Sequence, residues 1–235
     1  MKKFSLISGG SGGLGLAIAE ILVKSGKNVL ILGRNEAKLT RAAKKLSRLT
    51  DSSHVSTFPC NVGNEKEVKQ LAAFVKDHKM LTEYLYNKAG RGLSAGYGET
   101  TGELIDNILE ANLRGMILLT TEILKITPEN EELTIVNIMS TSGLIGRANE
   151  TIYCAAKFGA RGYTEALRAE LAGRKRNVIA IYPGGMKTDF YKASGQGDRD
   201  ISGFMNPAHV AEKIVNAVSL SDRTLVTDVT IQRKK

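Results

Sequence analysis

Short apolar runs alternate with amphipathic stretches along nearly the whole chain, and that alternation predicts a string of strands and helices. Residues 3–8 are a compact apolar run closed by glycines, the form of a strand buried on both faces. Residues 14–24 then carry apolar side chains at helical spacing and stop near Gly26. A second apolar run at 28–32 leads into a basic amphipathic helix that reaches Arg48. The pairing recurs: strands at 54–58 and 83–86 flank a helix at 65–79, and a long helix covers 102–126. A strand at 133–139, a second long helix at 151–171 and a strand at 177–182 follow. A polar, glycine-containing loop runs to Met205. Asn206-Pro207 has the cap-then-proline form of a helix start, 208–218 supplies that helix, and 225–231 a last strand. Strands and helices in turn, with no Pro/Gly/Ser linker, imply one α/β domain over residues 1–235. The expected fold is a doubly wound parallel sheet of about seven strands with helices on both faces.

Composition narrows the function classes. Apolar content of 42% and charged content of 24% in 235 residues suit a globular chain with a substantial core. No run approaches the roughly 18 apolar residues of a membrane span, so no membrane partner is expected. Met1-Lys2-Lys3 and the apolar residues after it imitate an export signal, but the run ends at Ser8-Gly9-Gly10; a cytoplasmic location is expected instead. Two cysteines, Cys60 and Cys154, and three histidines give neither a disulfide framework nor a metal spacing. The net charge of +9 raises nucleic acid as a partner. Its densest run, Arg34, Lys38, Arg41, Lys44, Lys45 and Arg48, falls at helical spacing with Leu39, Ala42, Ala43 and Leu46 free to form a buried stripe. That is a solvated helix face, and no aromatic stacking platform accompanies it, so no nucleic-acid partner is expected.

Three local patterns carry chemistry. Ser8-Gly9-Gly10-Ser11-Gly12-Gly13-Leu14-Gly15 links the first strand to the first helix. Glycines there let the backbone approach a pyrophosphate, which rests on the N–H groups of the helix start. After the second strand comes Gly33-Arg34-Asn35, where a carboxylate would hold an adenosine ribose 2′-OH; a guanidinium meets a 2′-phosphate instead. NADP(H) is therefore favoured, with NAD(H) possible. Third, Tyr153 and Lys157 are one helical turn apart, so their side chains lie about 5–6 Å apart on one face. An ammonium there is expected to lower the phenol from its usual pKa of about 10. The same spacing at Tyr84 and Lys88 lies in a strand, whose rise of about 3.3 Å per residue separates the two groups.

These residues together resemble the short-chain dehydrogenase/reductase family, in its compact single-domain branch with a Rossmann fold. The resemblance runs over residues 5–188 and its motifs recur in family order. Ser8, Gly9, Ser11, Gly13, Leu14 and Gly15 are similar to the cofactor turn. Asn87-Lys88-Ala89-Gly90 resembles the segment after the fourth strand, with Lys88 in place of a second asparagine. Asn61-Val62 stands where Asp-Val is usual for adenine contact, and the chain end 227–235 lacks the glycine-rich ending common in the family. Pro183-Gly184, Met186 and Thr188 match the turn that holds the nicotinamide carboxamide.

The resemblance implies a catalytic set of Asn112, Ser140, Tyr153 and Lys157. Tyr153 is the general acid or base, Ser140 orients a carbonyl oxygen, Lys157 also holds the nicotinamide ribose, and Asn112 anchors a water relay. The implied activity is NADP(H)-dependent interconversion of a small carbonyl compound and an alcohol. A dinucleotide-binding redox-sensing module with little turnover is the alternative. The resemblance places the substrate among Leu93, Leu144, Ile145, Met186, Phe190, Tyr191, Phe204 and Met205, with Arg91 and Arg147 as candidate anion readers and residues 189–205 as a glycine-hinged lid. It also implies a homodimer or homotetramer paired through the two long helices.

Overall fold

In the computed structural model, which describes residues 1–50, 54–195, 199–219 and 224–234, each apolar run becomes a strand and each amphipathic stretch a helix. The first half of the chain holds β1 (Lys2–Ser8), α1 (Gly13–Lys24), β2 (Val29–Gly33), α2 (Glu36–Leu46), β3 (Val55–Pro59), α3 (Glu65–Asp77) and β4 (Met80–Asn87). Helices α4 (Gly102–Leu109) and α5 (Gly115–Ile126) precede β5 (Leu133–Ile138) and α6 (Thr151–Glu170). Strand β6 (Arg176–Pro183), the short α7 (Phe190–Ala193), α8 (Pro207–Val218) and β7 (Asp228–Ile231) complete the order. All strand pairs are parallel, in the order β3-β2-β1-β4-β5-β6-β7. The order reverses between β1 and β4, which opens a crevice at the carboxyl edge of the sheet.

Successive strand residues serve opposite faces. Ile7, Ile31, Val136 and Ile179 pack against Ile18 of α1 and Ile214 of α8. Their neighbours Leu6, Leu30, Ile135 and Val178 pack on the other face against α3 (Leu71), α5 (Leu119) and α6 (Leu167). Each such side chain, fully buried, contributes about 1.5–3 kcal/mol, and two apolar faces explain why the strands read as continuous apolar runs. The basic helix α2 buries Leu39, Ala42 and Leu46 and turns its cations to solvent.

Two expectations are corrected. The helix expected over 102–126 is broken by a π-helical turn at Glu110–Arg114, which shifts the face presented by everything that follows it. The last strand starts at Asp228 rather than at residue 225. The segment expected as a lid, 189–205, contains α7, and its far end is tied back: Lys187 N–H donates to the Met205 carbonyl at 2.9 Å and Met205 N–H to the Gly185 carbonyl at 3.1 Å. Residues 196–198 of that segment lie outside the described residues. Among the described residues no helix is long and apolar enough to cross a membrane, and no cluster of His, Cys, Asp or Glu could hold a metal ion.

Candidate active site

The turn after β1 is built by close approach. A Cβ on Gly15 would lie 2.3 Å from the Gly9 carbonyl oxygen, so α1 can start this near to the strand only with glycine there. No side chain caps α1 and no acidic residue occupies its first turn, which leaves the amides at that end for an anion. Across the crevice stands Thr188, whose methyl would be 3.4 Å from a Cβ on Gly13. A narrow cradle with free amides on one wall suits a dinucleotide pyrophosphate. Ser8, expected at the cofactor, ties the crevice together: its hydroxyl donates to the Tyr86 carbonyl and accepts from Lys88 and Ala89 N–H, both at 3.0 Å.

Beyond that turn lies a cavity of about 430 Å³, and Asn112, Ser140, Tyr153 and Lys157 all line it. Helix α6 supplies Tyr153 and Lys157 one turn apart, the lysine nitrogen 5.6 Å from the centre of the phenol ring. Ser140, at the end of β5, lies near enough to the Tyr153 hydroxyl to pull its pKa down, and accepts from Ser142 N–H at 3.1 Å. The π-helical turn aims Asn112 inward; its amide donates to the Arg91 and Ile108 carbonyls at 2.8 and 3.0 Å, and its oxygen accepts from Arg91 N–H at 3.2 Å. A Cβ on Gly90 would fall 2.7 Å from that oxygen and 3.5 Å from the Lys157 nitrogen, so the two groups border one small space.

Electrostatics overturn the expected tyrosine shift. Burial pushes the Tyr153 phenol above its usual value, against the opposing pull of Ser140. Lys157 is itself held down at about 7, first by burial and then by the ammonium of Lys88. Proximity was correctly anticipated, but desolvation outweighs it. The phenol is therefore firmly protonated at neutral pH, while Lys157 exchanges its proton there.

Other anticipated residues divide. Leu14, Gly90, Pro183, Gly184, Met186 and Thr188 line the cavity with the catalytic set. Arg34 is exposed past the end of β2, outside the cavity wall, and Ser11 packs against Gly33 beside it. The Asn61 amide donates to Glu110 at 3.0 Å and its oxygen accepts from Gly63 N–H at 3.3 Å, while Val62 is buried in the core. Asn87 turns away from the crevice: its amide donates to Thr120 and Asn137, both at 2.8 Å, and Asn137 donates to Thr164 of α6 at 3.0 Å. This buried polar strut fixes α5 and α6 to the sheet and so positions Tyr153 and Lys157. Sequence reasoning missed Asn137, Thr120 and Thr164, for which no local signal exists. Of the substrate residues, Leu144 and Met205 are not in the cavity wall, and Arg91 lines a neighbouring pocket of about 300 Å³ instead. Glu150, Arg199 and Arg233 join the wall unanticipated.

Known proteins resemble this chain in sequence and in fold. The family described as short chain dehydrogenase matches residues 3–199. An uncharacterized oxidoreductase of Staphylococcus aureus (strain MW2) is 29% identical over 230 residues, which cover 98% of this chain and 96% of that protein. The 3-oxoacyl-(acyl-carrier-protein) reductase FabG of Rickettsia felis is 33% identical over 198 residues, 84% of this chain and 78% of that protein. A short-chain dehydrogenase/reductase structure from Vibrio parahaemolyticus is 28% identical with a TM-score of 0.84, covering 98% of this chain and 100% of that one. An actinorhodin polyketide ketoreductase variant, solved with NADPH, is 27% identical with a TM-score of 0.86, over 98% and 95% of the two chains. With the parallel sheet, the glycine turn and a match spanning most of its length, this chain belongs to the short-chain dehydrogenase/reductase family of oxidoreductases.

Proposed function

We propose that this protein is an NADP(H)-dependent oxidoreductase that interconverts a carbonyl compound and an alcohol, with Tyr153 as the general acid and base. One observation carries the reading: a buried phenol, beside Ser140 in the same cavity wall and one turn from Lys157, faces a cavity continuous with the wall that bears Thr188 and Gly184. The glycine turn and the amides of α1 would hold the pyrophosphate, Lys157 the nicotinamide ribose and Thr188 the carboxamide. Arg34, standing where a carboxylate would exclude a 2′-phosphate, supports NADP(H) over NAD(H). The FabG relative and the NADPH-bound ketoreductase agree in kind.

When bound, the nicotinamide supplies the hydride for reduction or accepts it in oxidation. Ser140 fixes the carbonyl oxygen beside the Tyr153 hydroxyl, and Tyr153 gives its proton to that oxygen as the alcohol forms. Lys157, held near neutrality, returns a proton to the tyrosine, with Asn112 bordering the path toward Arg91 and solvent. In balance, one carbonyl compound, one NADPH and one proton give one alcohol and one NADP+. A phenol that stays protonated at neutral pH is in the form that reduction requires of a proton donor.

The test is a panel of ketones, aldehydes and quinones scanned for loss of NADPH and NADH absorbance. Turnover with NADPH exceeding that with NADH supports the reading. Tight cofactor binding with no turnover of any member would favour a redox-sensing module.

A further inference from the structure

The cavity wall holds three arginines that the reaction does not use. Arg147 comes from the segment between β5 and α6, Arg199 from the loop beyond α7, and Arg233 from the residues after β7. Three segments remote in sequence thus bring guanidinium groups to one cavity. Arg199 lies 5.2 Å over the Tyr191 ring and 5.5 Å over Phe204, and Arg233 lies 5.7 Å over Phe204. Arg147 donates to the Thr141 hydroxyl at 3.2 Å, beside Ser140. Guanidinium planes stacked on aromatic rings are already oriented, so less rotamer freedom is lost when they meet a ligand.

We propose that the substrate carries an oxyanion, a carboxylate or phosphate, and that Arg147, Arg199 and Arg233 receive it beside Tyr191 while its carbonyl reaches Ser140 and Tyr153. This rests on the carbonyl-reductase reading above. A planar fork of N–H donors matches either oxyanion with charge-assisted, paired hydrogen bonds. The remaining charge in the wall sets a direction. Glu150, the single acidic residue among the described lining residues, accepts from the Ser142 hydroxyl at 3.2 Å and reaches both tyrosine hydroxyls electrostatically. Arg147 and Arg199 both lie near enough to Tyr191 to pull its pKa down. An anionic group is thus drawn toward the guanidinium groups stacked on Tyr191 and Phe204. Leu93 and Ile145 supply apolar wall for the carbon chain between the two ends.

The experiment uses pairs that keep the carbonyl and differ in whether an oxyanion is present: 4-oxopentanoate against its methyl ester, and dihydroxyacetone phosphate against dihydroxyacetone. Each is assayed with NADPH and titrated calorimetrically into the full chain with NADP+ present. In at least one pair the charged member is preferred about a hundredfold in kcat/KM, and the preferred pair identifies the oxyanion. Arg147→Gln, Arg199→Gln and Arg233→Gln each lower that charged-to-neutral ratio about tenfold, through KM rather than kcat, and Arg199→Lys restores part of it. Equal use of both members in both pairs, or ratios unmoved by the substitutions, overturns the inference while leaving the reductase reading intact. Should none of these four compounds turn over, the reductase reading is left to the carbonyl panel and the calorimetry decides the inference. The charged member must then bind the parent about tenfold more tightly than the triple glutamine variant, and equal binding overturns the inference.

Discussion

Replacing Lys157 with methionine separates the electrostatics of the site from its chemistry. Lys157 is 3% exposed and faces a second ammonium at Lys88, and burial with that neighbour lowers it from 10.5 to about 7. Between those two values the unfolded chain binds more protons than the folded one, so stability rises with pH across the window. At one pKa unit per 1.36 kcal/mol, the charge costs about 5 kcal/mol near pH 6, an upper bound, and roughly 1–2 kcal/mol near pH 9.5. Methionine keeps the stem's volume and removes the charge. Urea unfolding of both proteins across that range is therefore expected to show Lys157→Met the more stable at low pH. The gap should narrow by about 3 kcal/mol on going to high pH. A gap independent of pH, or one that widens as pH rises, would refute the claim that desolvation governs this lysine.

The other predictions concern the cofactor wall and the strut. Arg34→Glu should weaken NADPH binding by about a hundredfold while changing NADH far less, as read by fluorescence titration; equal losses would remove Arg34 from the 2′-phosphate. Asn137→Ala should destabilise the fold by about 1–3 kcal/mol in urea unfolding, because it leaves one buried Asn87 amide N–H without its acceptor and cuts the link to Thr164; a change within error would deny the strut its role. Gly90→Ala should depress kcat more than KM, since the added methyl enters the space shared by Asn112 and Lys157, and unchanged kcat would show that space to be idle.

The fold was legible because both sheet faces are covered: strands with two buried faces read as unbroken apolar runs, and each helix carries a single stripe. The glycine turn and the Tyr153–Lys157 spacing were legible because close backbone approach and helical periodicity leave local marks. The π-helical turn was not, because the residues from Gly102 to Ile126 keep their helical character through it; the Asn112 bonds to the Arg91 backbone hold it, and those are tertiary. The direction of the Tyr153 shift was hidden for the same reason. Spacing reports distance, whereas burial depends on Phe190, whose ring centre lies 5.8 Å away, and on the rest of the wall. Motif position located Asn87 and Asn61 but gave no sign that Thr120, Asn137 and Glu110 engage their amides. Arg199 and Arg233 reach the cavity only through the packing of chain segments far from any motif.

The central claim is that the Tyr153 hydroxyl is the proton donor to a carbonyl oxygen. Tyr153→Phe keeps the ring and its contact with Phe190 and deletes only that hydroxyl. Once the carbonyl panel has supplied a substrate, NADPH oxidation by this variant is expected to fall by about a hundredfold or more, with NADPH affinity nearly unchanged. Turnover at the parent's rate, with cofactor binding intact, would contradict the account.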